Sequence, residues 1–110
     1  MIPDEVKAAS ERLTGMGERH VVVATTDTDL PFAIFSIPTL GQLSQYVAQA
    51  GDVNCGPLLA AVGLARITGR FPAGDVIEGM VRARPFVVMR AVQVLLRELG
   101  LSARAEKKSL

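Results

Sequence analysis

The sequence has no tryptophan and only one cysteine, one histidine and one tyrosine in 110 residues. A single cysteine excludes an intramolecular disulfide and is typical of a protein in a reducing cytoplasm. One histidine and one cysteine are too few to complete a zinc site, and the carboxylates show no ligand spacing. We therefore expect no metal and no cofactor.

An excess of charge of one sign is also missing. The chain has 12 basic and 11 acidic residues, a net charge of +1, whereas broad nucleic-acid binding needs a concentrated cationic surface. The first residues lack the basic region of a signal peptide. The apolar run at 86–99 is too short to span a bilayer and contains charged residues. These absences predict a cytoplasmic protein that binds no membrane, and they argue against nucleic-acid binding.

What the sequence does have is an ample supply of apolar side chains. Hydrophobic residues make up 49% of the chain and charged residues 21%, which is typical of a globular protein. The composition predicts one globular domain over 1–101 and a charged, mobile tail over 102–110. We expect some apolar surface to remain for a partner or a second copy.

Periodicity and chain breakers predict an α+β fold that is mostly α. An N-terminal helix over 3–14 is followed by one β-hairpin, with strands at 20–25 and 31–37. A bundle of about four helices then covers 40–50, 57–68, 76–84 and 85–99.

The spacing of apolar residues also predicts which side of each helix is buried. The first helix should bury Val6, Ala9 and Leu13. The second should bury Leu40, Leu43 and Val47 after an N-cap at Thr39, and Asp75 should cap the fourth. The last helix should bury Val88, Val92, Leu95 and Leu99 and expose Arg90, Gln93 and Arg97.

Few residues suggest catalysis. Cys55 lies just before a predicted helix start, where a thiol can become reactive, and His20 is the one possible base. The alternative, a thiol that acts as a small apolar group, is favoured because no second motif supports catalysis. The glycines of "GMGERH" precede a strand, whereas a dinucleotide-binding loop follows one. We predict that the chain is not an enzyme.

Two features leave alternatives open. The arginines of the helical half either are solvated or form a cationic strip for an acidic partner; they are Arg66, Arg70, Arg82, Arg84, Arg90 and Arg97. The last helix is either a core helix or one that also buries a stripe at a protein interface. We favour the interface, since both faces of the predicted hairpin are also apolar.

Three stretches resemble one family, the phage tail assembly chaperones, which are small proteins encoded before the tape measure protein. "HVVVATTDTDLPFAIFSIPT" is similar to the family's strand, turn, strand and Pro-Thr step. "GRFPAGDVIEGMVRARPFVVMRA" resembles its aromatic-Pro step and short helix before a proline. "LLRELGLSARAEKKSL" resembles its charged C-terminal end.

The resemblance implies a non-enzymatic protein that binds the tape measure protein, recruits the tail tube protein, self-associates, and is absent from the mature virion. The alternative function is a small regulatory or nucleic-acid-binding module of a bacterium or prophage. The candidate partner-binding residues are apolar residues of the β-hairpin and of the last two helices, together with two arginines of the last helix. They are Phe32, Ile34, Met80, Val87, Val94, Arg90 and Arg97.

Overall fold

The computed structural model describes residues 2–28 and 30–100. Five helices are present in that part: α1 Asp4–Gly15, α2 Leu40–Ala50, α3 Gly56–Thr68, α4 Gly74–Ala83 and α5 Pro85–Glu98. Three strands form one antiparallel sheet: β1 His20–Ala24, β2 Phe32–Ser36 and β3 Gly69–Phe71. The predicted class, α+β and mostly α with an N-terminal helix and a hairpin, is confirmed. The predicted tail at 102–110 lies outside the described residues.

α1 follows from its sequence as expected. Acidic residues occupy the first turn and Arg12 the last, which suits the helix dipole. Val6, Ala9 and Leu13 are all buried, as their spacing predicts. They pack against Ile34 of β2, so α1 covers one face of the sheet.

β3 was not predicted from the sequence. It pairs antiparallel with β2, which becomes the central strand in the order β1-β2-β3. The chain passes from α3 into β3 at Gly69, where an added Cβ would lie 2.6 Å from the Ala65 carbonyl oxygen and 2.7 Å from Ile77 Cδ1. Glycine is needed there because a helix and a strand meet without an intervening loop.

The other face of the sheet packs on the helices. Val23, Ala33 and Phe35 are buried in a cluster with residues of α3 and α5. The layers are therefore α1, the sheet, and then α3 with α5. Both apolar faces of the hairpin are covered by this chain's own helices, so the hairpin no longer supports the interface alternative.

α5 is the central helix of this core. Its buried residues include three of the four predicted ones, Val88, Val92 and Leu95, while Leu99 is partly buried against the same cluster. Val87, Ala91 and Leu96 are also buried, so the buried side is wider than predicted. Arg90, Gln93 and Arg97 are exposed, as expected.

α2 does not follow its prediction. It has no buried residue, and Leu40 and Val47 are 86% and 54% exposed. Leu43 alone of the predicted stripe is partly buried. The N-cap prediction is confirmed, because the Thr39 side chain accepts from the Gln42 N–H while Gln42 Oε1 accepts from the Thr39 N–H.

α4 begins two residues earlier than a cap at Asp75 would allow. The helix starts at Gly74, and the N-cap position belongs to Ala73, which has no capping side chain. Asp75 lies in the first turn, where its carboxylate accepts from the Val76 N–H at 3.0 Å. Its charge still suits the positive end of the helix.

Candidate functional site

Two of the seven candidate partner-binding residues lie in the protein core. Ile34 is 0% exposed beneath α1, and Val87 is 3% exposed among the residues of the central cluster. Side chains at this depth are not accessible to a partner of the folded chain. We therefore remove both from the candidate site.

The remaining five are dispersed. Phe32 is partly buried and lines an apolar cleft of about 380 Å³ beside the start of α1. Met80 on α4 and Val94 on α5 are partly buried against the central cluster. Arg90 and Arg97 are exposed on α5. The structure thus brings together Val94 and the two arginines on α5 and leaves Phe32 elsewhere.

The two residues considered for catalysis have different environments. Both ring nitrogens of His20 have partners: Nε2 lies 2.6 Å from Ser10 Oγ, and Nδ1 lies 3.0 Å from the Glu18 carbonyl oxygen. The contact with Ser10 joins β1 to α1, and Glu18 lies in the connection between them. Cys55 is partly buried at the N-cap of α3. Among the described residues, no group of three or more His, Cys, Asp or Glu side chains could hold a metal ion.

Carboxylates of the described chain pair with several of the arginines considered as a cationic strip. Arg66 Nη2 donates to Glu78 Oε2 at 3.1 Å, and the neighbouring guanidinium lowers the pKa of Glu78. Arg70 Nε lies 2.7 Å from Glu18 Oε1. Arg84 and Arg90 both approach Asp27. Four of the six arginines therefore have a carboxylate partner within the described chain.

One feature of the sequence was missed. Between Asp29 and Arg66, the only charged residue is Asp52, in a chain of which 21% is charged. The buried strand β2 accounts for part of this stretch. The rest contains α2, which has no charged residue although none of its residues is buried. The position of each charged residue along the sequence reveals this charge-poor stretch, whereas the net charge of the whole chain does not.

Exposed apolar side chains are concentrated in the same region. Leu40 and Val47 are seven residues apart, so they lie on one side of α2. Val53, in the loop that joins α2 to α3, is 97% exposed. Leu59 and Ile67 on α3 are 58% and 51% exposed. We call α2, α3 and their loop the helical hairpin, and it is the candidate functional site.

α2 contacts the rest of the molecule through both polar and apolar side chains, since Leu43 and Tyr46 pack against the central cluster. Its main neighbour is α3, with a cavity of about 90 Å³ between the two helices. Three glutamines of α2, Gln42, Gln45 and Gln49, line that cavity together with Tyr46. α2 therefore turns three amides toward its own chain beside Leu43 and Tyr46, and it leaves the aliphatic side chains of Leu40 and Val47 exposed.

The arrangement defines a class: an α+β protein with an exposed helical hairpin that is almost free of charge. No helix in the described residues has both the length and the apolar content needed to cross a membrane. Comparison with models of protein families finds no match, and neither curated proteins nor solved structures match the chain.

Proposed function

We propose that this chain is a non-enzymatic protein-binding protein, and that the helical hairpin is its principal binding surface. The single observation that carries the proposal is α2, a helix with no charged residue and no buried residue that exposes Leu40 and Val47. Scattered exposed apolar residues are normal on a protein surface. A helix without charge that also exposes its aliphatic residues is typical of an interface.

The energetics favour a partner at this surface. Covering an exposed leucine or valine contributes about 1.5–3 kcal/mol, so Leu40 and Val47 together offer several kcal/mol to a partner that buries them. No charge on α2 has to be desolvated in return.

The more specific proposal is a phage tail assembly chaperone. The resemblance of three stretches to that family supports it, and so does an exposed helical hairpin suited to binding another protein. In this role the chain binds the tape measure protein in the bacterial cytoplasm, assists assembly of the tail tube protein and is not retained in the mature virion. It also self-associates when no partner is present.

Co-expression with a candidate tape measure protein tests the proposal. We expect the wild-type chain to increase the soluble fraction of that partner and to co-purify with it. The double variant Leu40→Glu, Val47→Glu should lose both effects, since two carboxylates would have to be desolvated at the interface. The same variant should reduce the self-associated fraction in light scattering coupled to size-exclusion chromatography.

The matched control is Met16→Glu, Val76→Glu. It changes net charge equally and also replaces two exposed apolar residues, which are 70% and 48% exposed but lie outside the helical hairpin. This variant should behave as wild type. If the control and the test variant lose the partner equally, or if both retain it, the helical hairpin is not the binding surface. If the wild-type chain does not change the solubility of the tape measure protein, the chaperone assignment is wrong.

A further inference from the structure

A second surface of different chemistry lies on α5. Phe86, Arg90, Gln93 and Arg97 follow one another at spacings of four, three and four residues, so they line one side of the helix. All four are exposed, and Phe86 is 56% exposed although it is aromatic. We call these four residues the arginine strip. Met89 and Val94 lie on its two flanks and are partly buried.

The arginine strip has a surplus of positive charge. Among the described residues, Asp27 of the β1–β2 loop is the carboxylate that approaches a guanidinium of the strip, and its side chain is 9% exposed. Asp27 Oδ2 is 3.7 Å from Arg84 Nη2 and 3.8 Å from Arg90 Nη1, distances longer than those of direct hydrogen bonds. Glu98 is also on α5, but about 100° around the helix from Arg97.

Arg90 therefore retains donors for a second carboxylate. A guanidinium has five N–H donors in a planar fork, and the Arg90 side chain is 62% exposed. Asp27 draws this guanidinium toward the β1–β2 loop without a direct hydrogen bond. Arg97, one helical repeat further on, makes no ion pair within the described residues. The Cα atoms of the two arginines are about 10.5 Å apart along the helix axis.

We propose that the arginine strip docks an acidic helical segment of a protein partner, with carboxylates at i and i+7 that face Arg97 and Arg90. The same spacing on a second helix places its carboxylates opposite the two guanidinium groups. Phe86, Met89 and Val94 supply apolar contact at the end and along the flanks. Arginine, methionine and aromatic side chains are the types enriched at protein interfaces.

The observations favour a protein over a nucleic acid as the occupant. The strip has two outward-facing arginines, whereas nucleic-acid binding normally uses a broader array of cations along a phosphate backbone. The net charge of the chain is only +1. The arginine strip shares no residue with the helical hairpin, so the proposal does not rest on the proposed function and fails or succeeds independently of it.

The probe is a capped, alanine-based peptide of about 20 residues, long enough to be helical in water, with Glu at i and i+7 and Leu at i+4. A matched peptide has Gln in place of both Glu residues. Each is titrated into ¹⁵N-labelled full-length protein at low ionic strength and followed by amide chemical shifts. We expect the Glu peptide to shift amides of α5 around Arg90 and Arg97, and to bind about tenfold more tightly than the Gln peptide.

The test variant is Arg90→Glu, Arg97→Glu, and the control is Arg12→Glu, Arg19→Glu, which alters net charge equally at two exposed residues outside the strip. The test variant should lose the preference for the Glu peptide, and the control should keep it. Far-ultraviolet circular dichroism checks that both variants fold. Equal binding of the two peptides by the wild-type chain would overturn the proposal, as would a preference that survives in the test variant. A single-stranded DNA oligonucleotide bound more tightly than the Glu peptide, through the same two arginines, would replace it with a nucleic-acid site.

Discussion

Replacement of Leu95 by alanine provides the strictest test of the packing described above. Leu95 is 0% exposed and belongs to the central cluster that joins α5 to the sheet and α3. The substitution removes three buried carbon atoms at about 0.8 kcal/mol each. The unfilled cavity adds to this loss, so we expect the free energy of unfolding to fall by about 3–4 kcal/mol, within the range of about 2–5 kcal/mol for such changes.

Urea unfolding followed by helix ellipticity at 222 nm measures this loss, since the chain has no tryptophan to report by fluorescence. In a thermal scan the midpoint should fall by roughly 15–25 °C. Leu40→Ala is the matched control at a protein concentration low enough to keep the chain monomeric, because Leu40 is then 86% exposed and its truncation should change the free energy by less than about 0.5 kcal/mol. A loss below about 1 kcal/mol for Leu95→Ala would show that α5 does not bury this side. A large loss for Leu40→Ala that grows with protein concentration would show that a second copy covers α2.

Two further predictions concern close packing and alkaline pH. Gly69→Ala should lower the free energy of unfolding in urea by about 1–3 kcal/mol, because the added Cβ would meet the Ala65 carbonyl and Ile77. Gly79→Ala on α4 is the control: its Cβ meets nothing within 4 Å, so the free energy of unfolding should rise by up to about 1 kcal/mol. Equal effects of the two substitutions would contradict the packing at Gly69. Burial raises the pKa of Tyr46, so the folded state holds the phenol proton more tightly. The resulting stability should be fully present below the unfolded pKa of about 10 and be lost as pH rises from there through the higher folded pKa. Absorbance titration of this one tyrosine should give a higher midpoint in buffer than in urea, and Tyr46→Phe should remove that part of the alkaline loss; identical midpoints would contradict it.

The helices that pack on the sheet could be predicted from the sequence because periodicity indicates the buried side when one side of a helix packs on the core and the other faces solvent. In α1 the spacing of Val6, Ala9 and Leu13 identified the buried side correctly. In α5 it identified the exposed arginines as well as the core. The predicted hairpin was equally secure, since β-branched residues and a polar turn define two strands without reference to the rest of the chain.

α2 shows where this method fails. Leu40, Leu43 and Val47 have the same spacing as a core stripe, and the spacing does place them near one another on the helix. Periodicity identifies residues that share a side but does not identify what covers that side. Here the side that faces α3 carries Gln42 and Gln49, and the aliphatic stripe is mostly exposed.

β3 was missed for a different reason. Three residues are too few for any alternation to be recognised, and a glycine after a helix is usually a C-terminal signal. β3 forms because of tertiary structure: α3 ends beside the edge of β2, and that edge is available for pairing. Neither condition can be recognised from a short stretch of sequence. The glycine at position 69 is consistent with this geometry, since a Cβ there would collide with the end of α3.

The two candidate surfaces together show that apolar density is a poor indicator of where a partner binds. α5 has the densest apolar run, yet most of its apolar residues are buried in the core, and its exposed side carries arginines. α2 has fewer apolar residues, but it lacks the charges that normally keep an exposed helix solvated. A solvated helix tolerates exposed leucine when charged neighbours surround it, and without them the same leucine favours association. Charge depletion at exposed positions, rather than hydrophobicity, is therefore the property that distinguishes the helical hairpin, whereas the arginine strip would select its partner by charge.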